Sequence, residues 1–174
     1  MTTNGQRRAV HLLGSVPLGD AEQVFRQVSE ILGPYLRSLP DGEQITKWIG
    51  SQINTFSNSP YLESVAPGEG HYASGTVPRR FRLRSEVDAG ELTFDELGYA
   101  RIAKESYGTF VRLKSDGAVP EHLRFQVSLP TPLAPVATFC EPSAEEVFPA
   151  FEAAMLREVD EIVTAIPHDQ LAMQ

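Results

Sequence analysis

The stretch His168-Asp169-Gln170-Leu171-Ala172-Met173-Gln174, HDQLAMQ, decides how the rest of the chain is read. It follows a long helical pattern, and its final residues, Leu171 to Gln174, are apolar or uncharged. An apolar run of that length behind a helix reads as the opening of a strand. On this reading Leu171 and Met173 pack beside an earlier strand, and the sequence stops where that strand's ligand-facing end would begin.

Working back from it, Ser143 caps a helix over SAEEVFPAFEAAMLREVDEIVTAI, with Glu145 and Glu146 in its first turn, where the dipole favours carboxylates. Its apolar stripe runs Val147, Phe148, Phe151, Met155, Val159, Ile162, Val163 and Ile166. EHLRFQVSLPTPLAPV (121–136) predicts a strand in which Leu123, Phe125, Val127 and Leu129 alternate until the prolines stop the pairing. FDELGYARIAKESYGTFVRLKSDG reads as another helix, and RRFRLRSEVDAGELTF as a small hairpin. Residues 57–80 are rich in Asn, Ser, Pro and Gly and predict a long loop, so 57–93 is an inserted loop and hairpin.

At the other end, RAVHLLGSV (8–16) is a continuous apolar run that predicts a buried strand. Asp20 caps a helix with Ala21, Val24, Phe25, Val28, Ile31 and Leu32 on one face, closed by Gly33-Pro34. YLRSLPDGE (35–43) predicts a short strand, and EQITKWIGSQINTF an amphipathic helix burying Ile45, Trp48, Ile49, Gln52, Ile53 and Phe56. Strands alternating with helices imply an α/β fold with parallel strands, whose carboxyl ends bind ligands. The expectation is one domain over residues 1–174.

The chain has 174 residues, 41% of them apolar, and a formal charge of −8. That acidity argues against nucleic-acid partners and against anionic membrane surfaces. No apolar run approaches the roughly 18 residues of a spanning helix. The single Cys140 excludes an internal disulfide and fits a reducing, cytoplasmic setting.

Two strand ends carry candidate chemistry. In LLGSVP (12–17), Gly14 lets a ligand approach the backbone, and Ser15 offers a hydroxyl; the plain alternative is a turn before a helix. In LPDGE (39–43), Asp41 and Glu43 can hold an amine or act as a base; the plain alternative is a turn with a helix-start acid. The prolines of SLPTPLAP (128–135) shape a rigid loop, or simply end a strand. No histidine stands at metal-ligand spacing from another or from Cys140, whose position before a helix allows thiolate character. There is no phosphate-binding glycine loop and no G-x-S-x-G elbow.

HLLGSVP, LPDGE…KWIGSQ, RFQVSLPTP and the long helix leading to LAMQ together resemble the cobalamin-independent methionine synthase superfamily. The closer likeness is to its smaller single-barrel members described as uroporphyrinogen-decarboxylase/methionine-synthase-like (UROD/MetE-like). The resemblance implies a (β/α)8 TIM barrel of which this chain matches the first half, about four parallel strands with crossover helices and an inserted hairpin-helix. It implies a homocysteine-like small molecule bound by Leu13, Gly14 and Ser15, with Asp41-Gly42-Glu43 in the place of a His-Gly-Glu that reaches the substrate amine. Thr131 is retained from the methyl-donor side, while that side's glycine is absent.

In the resembled family, zinc and a folate methyl donor are the cofactors. The zinc ligands come from strands beyond the end of this sequence, so the expectation is no metal and no cofactor in this chain. The function implied is a part in methyl transfer within small-molecule biosynthesis, without independent activity. The alternative is a non-catalytic half-barrel or truncated gene product that acts by assembly, as a homodimer or with a complementing second half-barrel.

Overall fold

The computed structural model describes residues 9–43, 45–65 and 79–174. Among these the chain is mixed α/β. In order it forms α1 (Ala21–Leu32), β1 (Ser38–Pro40), α2 (Gln52–Asn58), β2 (Leu62–Val65), β3 (Arg80–Leu83), α3 (Tyr99–Ser115), β4 (Arg124–Val127), α4 (Leu133–Phe139), α5 (Ala144–Ala165) and β5 (Leu171–Met173). Two compact units result, each built from separated pieces of sequence.

The first unit gathers the described residues of Met1–Ile45 with Arg101–Leu129 and Ile162–Gln174. Its sheet is parallel, in the order β1-β4-β5, with Leu39 opposite Phe125 and Phe125 opposite Leu171. The HDQLAMQ stretch is therefore a strand, and Leu171 is buried, while Met173 is 40% exposed. Asp20 caps α1 by accepting the Gln23 N–H. Phe25 of α1, Phe110 of α3 and Phe125 of β4 meet with centroids 5.5 to 6.0 Å apart, covering the sheet with an aromatic core. These parallel strands form an open sheet, with no closed barrel among the described residues.

The second unit comprises Thr46–Ala100 and Pro130–Glu161. Phe56 is its centre and touches Phe81, Phe94, Phe139 and Phe151. The buried Glu158 of α5 reaches the start of α3. Its Oε1 accepts the N–H groups of Leu97 (2.6 Å) and Gly98 (3.2 Å), and its Oε2 accepts that of Ala100 (2.5 Å). The free amides of a helix start are thus satisfied by a carboxylate from a distant part of the sequence.

Four expectations need correction. The apolar run 8–16 is not a strand over its described part. Only Ser15 bridges, in parallel with Gly42, and Leu13 is 76% exposed. Gly14 at φ 146° interrupts extended pairing there. The helix expected from Glu43 is confined to α2, because Glu43, Lys47 and Trp48 take left-handed φ values of 57°, 45° and 58°, which no right-handed helix contains. Ile45 and Trp48 are exposed as a result, whereas Ile49, Gln52 and Phe56 are buried as the periodicity predicts.

The hairpin expected within 79–94 is instead β3 against β2, with Phe81 opposite Ser64; residues 66–78 of the expected insertion lie outside the described residues. Finally, the 121–136 strand is shortened to β4, and its proline segment turns into α4, since Pro132 stands just before the first helical residue, where a missing N–H costs nothing.

Replacing Glu158 by Gln sets an amide NH2 among backbone donors. The expected loss is about 3 kcal/mol of stability, read as a lowered urea midpoint in circular dichroism.

Candidate functional site

The carboxyl ends of the parallel strands in the first unit bring together residues from four separate stretches of sequence. Ser15 and Gly42 form the bridge that continues the sheet beyond β1, and the Val16 N–H donates to the Gly42 carbonyl (3.2 Å). Behind them, the amide of Gln126 on β4 is almost fully buried and must find partners. Its Oε1 accepts the Ser38 hydroxyl (2.7 Å). Its Nε2 faces the Leu12 carbonyl (2.8 Å), Gln174 Oε1 (2.9 Å) and Ser128 Oγ (3.2 Å). Gln174 in turn donates to the Leu13 carbonyl (2.8 Å) and accepts from His11 Nε2 (2.7 Å), since an amide oxygen can only accept. Segment 11–15 is held by side-chain amides where the sequence suggests a strand ladder.

On this support sits a group of hydroxyl and carboxylate side chains. The Ser15 hydroxyl donates a short hydrogen bond to Glu43 Oε2. Asp41 Oδ1 accepts the Glu43 N–H (3.0 Å), and Asp41 Oδ2 accepts the Ser106 hydroxyl from α3 (2.9 Å). The Glu43 carboxylate lies against the bare α-carbon of Gly14: a β-carbon there would stand 2.5 Å from Oε1, 2.9 Å from Cδ and 3.0 Å from Ser128 Cβ. Burial pushes the Glu43 carboxyl above its usual range, the Ser15 hydrogen bond opposes this, and the nearby Asp41 charge adds to it.

Of the residues singled out in the sequence, Gly14, Ser15, Asp41 and Glu43 are brought together, and Leu13 stands beside them as an exposed side chain whose carbonyl is tied to Gln174. Thr131 is not among them. It falls in the second unit, exposed, with its carbonyl accepting the Ala134 N–H at the start of α4. Ser106, Gln126, Ser128, Gln174 and His11 complete the arrangement. The local signals for them are weak: a Ser on the apolar face of α3 and a Gln in an apolar strand.

Among the described residues no three His, Cys, Asp or Glu side chains stand together as a metal would require. Cys140 is fully buried in the second unit, and burial pushes its thiol up to about 12, so it is a protonated, apolar side chain without thiolate character. Among the described residues no helix is long and apolar enough to cross a membrane.

Comparison with protein-family models, with curated proteins and with solved structures finds no match.

Three outcomes follow from this geometry. Gly14→Ala combines a forbidden φ with a collision at Glu43, so it is expected to lower stability by about 2 kcal/mol in urea unfolding. The raised Glu43 carboxyl means the folded state binds its proton more tightly than the unfolded state. This contribution to stability therefore falls as pH rises from the ordinary 4.5 through the raised value. The urea midpoint of the wild type should fall relative to that of Glu43→Gln over that window and run parallel to it above. Cys140 should resist Ellman's reagent in the folded protein and react only after unfolding.

Proposed function

We propose that this chain is a methionine-synthase-like half-barrel protein that binds a homocysteine-like amino acid and takes part in methyl transfer without turning over alone. The observation that carries this reading is the junction of the Ser15 hydroxyl and the Glu43 carboxylate at the carboxyl ends of parallel strands. Open α/β sheets place ligands at that end.

A carboxylate that is half-buried and crowded by a second carboxylate is suited to an ammonium group. The incoming cation offsets both the desolvation of Glu43 and its repulsion from Asp41. Once the ammonium takes Glu43, the Ser15 hydroxyl is released to donate to the amino acid's own carboxylate. The exposed Leu13 side chain offers apolar surface for the remainder of the substrate.

A second reading rests on a different observation. Among the described residues β5 is an outer strand of the parallel sheet, and its last residue, Met173, is exposed. An unpaired strand edge is a template for another chain. The alternative is therefore a non-catalytic half-barrel subunit that acts by pairing with a second copy or a complementing half. Light scattering behind size exclusion separates the two: a clean monomer at micromolar concentration removes the homodimer.

Calorimetry with L-homocysteine tests the binding reading. Heat is expected at millimolar ligand, and Glu43→Gln is expected to weaken the affinity at least about tenfold, the equivalent of about 1.4 kcal/mol. Below neutral pH the complex should release protons on forming, because an ammonium favours ionised Glu43. Absence of heat with a folded wild-type sample at millimolar homocysteine sinks the reading.

A further inference from the structure

We propose that Ser106 is a positioning residue of this site, acting on Glu43 through Asp41. It deepens the reading of Glu43 as the ammonium-binding group and rests on it for its functional meaning, while the positioning itself is readable without any ligand.

The backbone that carries Glu43 is unfavourable by itself. Gly42 has φ 92° and Glu43 has φ 57°, so two successive residues lie in the left-handed region, and the second bears a side chain. From this conformation the Glu43 carboxylate reaches back to the Ser15 hydroxyl and the open face of Gly14. A chain with a right-handed or extended Glu43 would aim it elsewhere.

Asp41 holds the conformation by accepting the Glu43 N–H with Oδ1, a local turn that Asp makes with the residue two positions on. Alone, that turn leaves the Asp41 carboxylate free to rotate and exchange its oxygens with water. Ser106 removes this freedom. It comes from α3, 65 positions away, is only 8% exposed, and donates to Asp41 Oδ2. With Oδ2 fixed by the helix, Oδ1 is committed to the Glu43 N–H. Ile102, Ala103 and Phe110, also buried on α3, leave Ser106 as a hydroxyl in an otherwise apolar stretch, and such a buried hydroxyl needs an acceptor. The chain of contacts runs from α3 through Asp41 and the Glu43 backbone to Ser15 and Gly14.

The full-length protein, labelled at glutamate side-chain carboxyls, is titrated by carbon-13 NMR as wild type, Ser106→Ala, Ser106→Val and Ser106→Thr, with folding checked on each sample by amide spectra. Thr keeps the hydroxyl and Val is its near-isosteric partner without one, so the pair remains informative where Ala does not fold. Loss of the hydroxyl is expected to let Glu43 leave Gly14 for solvent, so that its midpoint falls toward the ordinary value of 4.5. The affinity for L-homocysteine should fall at least tenfold in the same variants. Thr is expected to restore both.

A folded Ala or Val variant with the wild-type Glu43 midpoint overturns the proposal, as does a folded Thr variant that fails to restore it. If wild type binds no homocysteine, the functional reading fails by itself, and the Glu43 midpoints still decide whether Ser106 positions it.

Discussion

Much of the first unit depends on one buried amide. Gln126 sits in the middle strand of a three-stranded sheet, where an apolar residue is the usual choice, and it spends its oxygen on Ser38 and its nitrogen on the Leu12 carbonyl and its neighbours. A carbonyl that is not in a ladder needs a donor from elsewhere. Gln126 and Gln174 provide those donors for Leu12 and Leu13, and thereby hold a segment whose one bridge, Ser15 to Gly42, lies beyond the end of β1. Ser15 is the end of that segment, so its meeting with Glu43 depends on amide side chains two strands away.

The same economy appears in the second unit. Glu158 alone caps three backbone amides at the entry to α3, from a helix far along the sequence. In both units a single buried polar side chain closes several donors or acceptors at once. Such groups are stabilising only while every partner is in place. An apolar substitution at Gln126 or Glu158 would lose several bonds together.

The long periodic elements were legible from sequence. α1 with its Asp20 cap, the bodies of α3 and α5, and the β4 and β5 strands all follow apolar period and capping chemistry, which are local. The half-helical segment after β1 was not. Its apolar spacing is that of a helix, yet Glu43, Lys47 and Trp48 are left-handed, and no residue type there announces it. The N-terminal run departs from its pattern for a related reason: apolar continuity predicts burial, but Leu13 is exposed, and side-chain amides hold the Leu12 and Leu13 carbonyls where a ladder is expected.

At the site, the Gly14, Ser15, Asp41 and Glu43 cluster was legible because glycine and short polar residues at strand ends are unusual enough to notice. Ser106, Gln126 and Gln174 became visible only through distances between residues far apart in sequence.

The left-handed backbone at Glu43 has a consequence for how this protein tolerates change. Glycine would occupy that conformation without the steric penalty that a β-carbon carries. It would also remove a half-buried carboxylate that sits unfavourably next to Asp41. Two sources of frustration would vanish with one substitution, and so would the carboxylate that accepts the Ser15 hydroxyl. Selection of variants for folding alone would drift toward Gly at this position and discard the contact between Ser15 and Glu43. The fold thus carries a locally unfavourable conformation at residue 43, which the Asp41 and Ser15 hydrogen bonds hold in place.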